Sequence, residues 1–221
     1  TLLGSWWAKT FLSLTRTSSP PNSSPHLKNI VVFASGSGSN FQSIIDACQS
    51  GIIFARVTGL LTSKNNIGAL ERAVSANIPS RVLIPADFES DELYESALHE
   101  QLEKWKPDLI VLAGYLRKVP NSVIHTYPNR ILNIHPSLLP KFGGKGFYGM
   151  KVHQAVIEAG ETESGCTVHL VNEVYDDGEV LGQIVIPVNA TDTPQTLAAR
   201  VLKEEHILYP QIIQKHLEIL D

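Results

Sequence analysis

The stretch Leu132-Asn133-Ile134-His135-Pro136-Ser137-Leu138-Leu139-Pro140 sets an amide and an imidazole two residues apart among apolar neighbours. Residues i and i+2 of a strand share a face, so Asn133 and His135 project together while Leu132 and Ile134 turn into a core. Pro136 ends the strand. An amide beside an imidazole can donate hydrogen bonds to a developing oxyanion, and the imidazole can also move a proton. Two polar residues placed beside a turn would look the same, so the pair alone leaves both readings open.

Three other groups could act with it. Ser35-Gly36-Ser37-Gly38-Ser39-Asn40 lies between an apolar run and a helical pattern, where small residues expose backbone N–H groups at a helix N-terminus and Ser39 and Asn40 add side-chain donors. A phosphate is the natural ligand of such a turn, and a purely structural Ser/Gly turn is the alternative. The dinucleotide fingerprint Gly-x-Gly-x-x-Gly is incomplete, because Phe41 stands three positions beyond Gly38. Asp176, in Tyr175-Asp176-Asp177-Gly178, reads by itself as a turn former. Glu205 falls on the apolar stripe of the last helix. A carboxylate there is costly unless paired or bound to a ligand amine or hydroxyl, although an edge position reaching solvent would also explain it. His153 and His169 read as satisfied core histidines, and no short-spaced histidine pair with neighbouring acids forms a metal motif.

The elements that must position these groups alternate. Asn29 to Ala34 is an apolar strand, and Phe41, Ile44, Ile45 and Cys48 follow at i, i+3, i+4 and i+7 of a helix. A strand near Val57 to Thr62, a helix around Ile67 to Ala76, a strand at Arg81 to Ile84 and a helix from Ser90 to Trp105 come next. Asp108 to Gly114 is a buried strand whose end carries Leu116, Arg117, Lys118 and Val119 into a loop. Strand alternating with helix means an α/β fold with a doubly wound, mostly parallel sheet, which binds ligands beyond the carboxyl ends of its strands. Lys141 to Gly149 is glycine-rich and reads as a loop over the site, before a helix from Lys151 to Ala159. Cys166 to Val171 and Ile184 to Val188 form an antiparallel part, and a long helix from Pro194 to His216 closes the chain, with Asp192 or Thr193 as its cap.

The 221 residues, 43% hydrophobic and 18% charged, can bury one substantial core. No apolar run approaches the roughly 20 residues that cross a bilayer. The net charge of −4 gives no electrostatic footprint for nucleic acid, and two cysteines exclude a disulfide framework. Residues 1–28 stand apart: hydroxyl-rich, with Lys9 and Arg16 but no acid, they resemble an organelle transit peptide, the alternative being a disordered tail. The missing initiator Met points to a fragment. Residues 29–221 are expected to be the folded domain.

Gly38-Ser39-Asn40, Asn133-x-His135-Pro-Ser-Leu-Leu-Pro and Tyr175-Asp176-x-Gly178, in that order, resemble the folate-dependent phosphoribosylglycinamide formyltransferases. The likeness runs from Asn29 to the end, and Gly-Gly-Lys-Gly-Phe-Tyr-Gly resembles the plant and cyanobacterial branch. It implies a Rossmann-like formyltransferase fold with Asn133, His135 and Asp176 catalytic. Gly38, Ser39, Asn40 and Glu205 would bind glycinamide ribonucleotide, and Leu116 to Val119 with Asn133 would contact 10-formyltetrahydrofolate, the co-substrate. The expected partners are these small molecules, with no metal, nucleic acid or membrane, in a plastid or also a mitochondrion. Asp176 is expected to orient His135 and favour its protonated form. Two departures stand out: the loop after Pro140 is longer than the bacterial pattern, and a folate-contacting arginine is matched by Asp91. Hydrolysis of the same folate is the nearest rival, which would leave the phosphate turn without an acceptor to hold. A non-catalytic nucleotide-binding module is the rival from another class.

Overall fold

The structure is a computed structural model and describes residues 27–220. The transit-like segment expected at 1–28 lies almost wholly outside the described residues. At its far boundary the first strand, β1, is Lys28–Phe33, one residue earlier than the sequence pattern suggests.

The parallel part of the sheet is built from β1, β2 (Ala55–Thr62), β3 (Ser80–Val82), β4 (Leu109–Leu112) and β5 (Ile131–His135). Two antiparallel strands, β6 (Glu163–Leu170) and β7 (Val180–Pro187), extend it, giving the order β3-β2-β1-β4-β5-β6-β7. The helices are α1 (Ser39–Gln49), α2 (Gly68–Ser75), α3 (Asp91–Trp105), α4 (Asn121–Thr126), α5 (Met150–Glu158) and α6 (Pro194–Ile219). The doubly wound, mostly parallel sheet with an antiparallel end and a long last helix is therefore as the sequence pattern predicts.

Alternation along the strands sends side chains into two cores. On one face Ile30, Val32, Leu60, Val111, Leu132 and Ile134 pack with residues of α1, α2, α5 and α6. On the other, Val31, Phe33, Leu61, Ile110, Leu112 and Ile131 pack under α3 and α4. Boundaries differ where composition is weak. β6 and β7 start three and four residues earlier than expected, because Glu163-Ser164-Gly165 and Val180-Leu181-Gly182 carry no continuous apolar signal and owe their extended state to antiparallel pairing, the first with Val185 to Pro187 and the second with Val168 and His169. The sequence reading also omitted α4, whose six residues bury only Val123.

The last helix begins at a capping box: Thr193 Oγ1 accepts from Thr196 N at 3.2 Å, and Thr196 Oγ1 accepts from Thr193 N at 2.9 Å. Thr193, not Asp192, is the cap. Among the described residues no helix is long and apolar enough to cross a membrane.

From β1 the chain moves one way to β2 and β3, then returns to the other side of β1 as β4. That reversal opens a crevice beyond the carboxyl ends of β1 and β4. Ser35 bridges the two loops there, its N–H donating to Gly114 O and its Oγ accepting from Leu116 N, each at 3.1 Å.

Candidate active site

Strand β5 delivers Asn133 and His135 to the sheet's carboxyl edge on one face, while Leu132 and Ile134 enter the core behind it. The antiparallel partner β6 puts His169 directly opposite Asn133 and Thr167 opposite His135. His169 Nδ1 donates to Leu170 O at 2.8 Å, which leaves its Nε2 as an acceptor in the neutral ring, and Asn133 Nδ2 donates to it at 3.0 Å. The other Asn133 N–H is only loosely held, with Nδ2 3.5 Å from Asp176 Oδ1. It is the donor available to a developing oxyanion.

His135 is 4% exposed. Its Nε2 donates to Phe142 O at 2.8 Å, so Nδ1, 3.5 Å from Asp176 Oδ2, is the nitrogen free to exchange a proton. Burial lowers the His135 pKa, and the nearby Asp176 carboxylate and the Phe142 carbonyl oppose this without reversing it. Asp176 favours the protonated ring, as expected, but desolvation of the cation outweighs that attraction and leaves the His135 pKa below its ordinary value. Asp176 itself sits in the left-handed region at φ 55°, in the loop between β6 and β7. Its Oδ2 accepts from Gly144 N at 2.8 Å. Burial alone would raise its carboxyl, but the facing imidazoles and the Gly144 N–H hold it below its ordinary value. Lys141 to Gly149 is therefore more than a cover, since Phe142 O and Gly144 N hold His135 and Asp176 respectively.

These groups line a cavity of about 670 Å³ that also takes in the switch-point crevice. In the same cavity Asn40 Nδ2 donates to Glu205 Oε2 at 2.6 Å, with both residues more than nine-tenths buried. Burial raises the Glu205 pKa to about 7, even though the Asn40 hydrogen bond favours the carboxylate. Leu116, Arg117, Lys118 and Val119 line the same cavity along the β4 edge. Gly38 and Ser39 do not. Gly38 packs against α2, where an added Cβ would come 2.8 Å from Ala69 Cα, and Ser39 lines a separate small depression with Arg72 and His206. From the turn of residues 35–40 only Ser35, Gly36, Ser37 and Asn40 reach the main cavity. One Asn40 side-chain N–H is committed to Glu205, which leaves the second, with the backbone N–H, to receive an anion. Asp91 opens α3 and is not part of the cavity wall. Among the described residues no group of three or more His, Cys, Asp or Glu could hold a metal ion.

Residues 28–213 match the formyl transferase family. The chain belongs to that family. It is 48% identical over 190 residues to the chloroplastic phosphoribosylglycinamide formyltransferase of Arabidopsis thaliana, a match covering 86% of this chain and 65% of that protein. The chain thus spans less than two thirds of that plant relative. Against the phosphoribosylglycinamide formyltransferase of Escherichia coli (strain K12) identity is 40% over 185 residues, covering 84% of this chain and 85% of the relative. The crystal structure of glycinamide ribonucleotide transformylase 1 from Symbiobacterium toebii superposes with a TM-score of 0.83 at 38% identity, over 91% of this chain and 93% of that one.

Two residues of this formyl transferase stand differently from their sequence reading. His169, taken for a core histidine, is buried and hydrogen-bonded, yet it lines the cavity and holds Asn133. Its place opposite Asn133 follows from β5–β6 pairing across 36 residues, and the only sequence signal was its position in an apolar strand. His153 is buried but not satisfied, because its Nδ1 has no hydrogen-bond partner. Burial first, and His135 next, push its pKa down to about 4, so it stands neutral on the cavity wall.

Proposed function

We propose that this chain transfers the formyl group of 10-formyltetrahydrofolate to the primary amine of glycinamide ribonucleotide, a step of de novo purine synthesis. The observation that carries this reading is the shared cavity, which is lined by the Asn133–His135–Asp176 cluster and by the Asn40–Glu205 pair of the turn opening α1. The acceptor's phosphate would sit on the backbone N–H groups opening α1, with its ribose hydroxyls or amine against Glu205. The folate would lie along Leu116 to Val119. Binding both makes a bimolecular encounter effectively intramolecular.

The amine attacks the formyl carbon, a C–N bond forms, and the carbonyl electron pair moves to oxygen. The loosely held Asn133 N–H stabilises that oxyanion, and losing one such donor costs about 2.7–4 kcal/mol of barrier. His135 begins neutral and takes the proton shed by the attacking nitrogen at Nδ1, where the Asp176 carboxylate offsets the new charge. The imidazolium then donates to the oxyanion, and its proton passes to the folate nitrogen as the bond from that nitrogen to the formyl carbon breaks.

The full chain, supplied with 10-formyltetrahydrofolate, should release deformylated folate only when glycinamide ribonucleotide is present, with one formylated nucleotide per folate. Formate release at a comparable rate without acceptor would establish a hydrolase instead. Nucleotide binding without turnover would establish a binding module. We further infer that residues 1–28 direct import into a plastid, supported by the chloroplastic relatives of Arabidopsis thaliana and Vigna unguiculata. A fluorescent fusion of the complete reading frame should light plastids. Mitochondrial signal in addition would mark a second destination, and diffuse cytosolic signal with an intact N-terminus would end the idea.

A further inference from the structure

The turn from Gly36 to Asn40 has its two kinds of backbone group sorted. Its carbonyls are occupied: Gly36 O accepts from Ala69 N at 3.2 Å, Ser37 O from Arg72 Nε at 2.9 Å, and Gly38 O from Gln42 N at 2.8 Å. Among the described residues, none of the Gly36, Ser37 and Gly38 N–H groups donates to another backbone group. The Ser39 and Asn40 N–H groups open α1, where the first turn has no intrahelical acceptor. An anion meets unopposed N–H dipoles only if the carbonyls stay tied away from it.

One side chain supplies the tie that no backbone group makes. Arg72 projects from the last turn of α2, and its second prong, Nη1, donates to Gln42 Oε1 at 3.0 Å. A single guanidinium therefore grips the turn and the helix that follows it. Gly38, left-handed at φ 75°, allows the close approach: a Cβ there would lie 3.2 Å from Arg72 Cδ. Among the described residues no carboxylate forms an ion pair with Arg72. Across the small depression on α6, the His206 pKa is lowered by burial first and by Arg72 second, with the Asp46 carboxylate of the same depression opposing them.

We propose that Arg72 is the positioning residue of the phosphate-binding turn: its guanidinium holds the Ser37 carbonyl back, keeps the turn's N–H groups available to a phosphomonoester, and lends them its positive charge. This deepens the proposed function, since the phosphomonoester is that of the acceptor nucleotide. Arg72 is placed against neither the formyl group nor the folate.

Arg72→Gln removes the charge, and Arg72→Lys keeps it while losing the fork. Arg72→Gln should raise KM for glycinamide ribonucleotide by about tenfold or more, the scale of one lost charge-assisted hydrogen bond. Its kcat and folate KM should stay within about twofold of the parent, because uniform binding energy is lost without touching the transition state. Arg72→Lys should fall between. A readout independent of turnover is thermal unfolding with and without inorganic phosphate, which should raise the Tm of the parent chain and raise that of Arg72→Gln much less. An unchanged nucleotide KM, no phosphate stabilisation of the parent, or a proportional rise of both KM values with a fallen Tm would each overturn the proposal, the last by showing a brace of the fold alone. Acceptor-independent turnover by the parent chain would overturn the acceptor reading, and leave the phosphate shift to decide the role of Arg72.

Discussion

Burial lowers the His135 pKa by more than Asp176 raises it, which suits the proton-accepting role proposed for this side chain near neutrality. The sign follows: the proposed mechanism needs the neutral ring, and the folded pKa lies below the ordinary 6.5. At saturating substrates kcat should hold as pH falls to 6.5 and decline only below it; an acid limb centred at or above that value would contradict the neutral resting state. His135→Ala and Asp176→Asn should each lower kcat, the first by about 10²–10⁴-fold. The double variant should lose less than the product of the singles, since the two act as a unit. Glu205 behaves oppositely. Its pKa near 7 means that the carboxylate, the better acceptor for ligand hydroxyls or amine, forms as pH rises through that value. The KM for glycinamide ribonucleotide should fall over that interval, and Glu205→Gln should flatten the trend.

Two loops, not one strand, complete the proton-handling pair. The loop after β5 brings Phe142 O to His135, and the loop between β6 and β7 brings Asp176 beside it. Gly178 seats the second loop: a Cβ there would lie 1.7 Å from Leu170 O, a backbone atom that cannot move aside cheaply. Gly178→Ala must therefore shift the segment that carries Asp176. A misplacement of about 1 Å can cost on the order of 10²-fold in rate. We expect kcat to fall by at least about tenfold while β6–β7 pairing survives, measured by saturating kinetics alongside far-UV circular dichroism. Parental kcat would show that this loop tolerates displacement.

Across the whole molecule, α6 joins the antiparallel part of the fold to the switch point. The fully buried Tyr209 hydroxyl lies 3.0 Å from Leu112 O and 3.1 Å from Leu132 O, sharing its proton between the last residue of β4 and the second of β5. One turn earlier the same helix presents Glu205 to the cavity. Tyr209→Phe keeps the ring and strands two buried carbonyls, which should cost about 1–3 kcal/mol. Denaturant unfolding should show a lower midpoint with an unchanged slope. A midpoint within error of the parent would mean that water or neighbouring N–H groups replace the hydroxyl.

Much of this protein was legible from local chemistry. Period-two alternation put Asn133 and His135 on one face of β5, period 3.6 marked α1 and α6, and the strand–helix succession implied the parallel sheet with its crevice, because these patterns depend only on near neighbours along the chain. Glu205 stood out for the same reason, as a carboxylate on an apolar stripe. What the sequence left undecided was set by contacts between distant segments. His169 became a partner of Asn133 through antiparallel register, and Gly38 and Ser39 turned from the main cavity because α2 packs against the turn. Arg72 gained its place beside Ser37 only when α2 docked there. The charge of His135 was undecidable from sequence because two opposing effects meet there, an adjacent carboxylate and burial under the Phe142 loop, and only the packed structure determines how much water remains to solvate the cation.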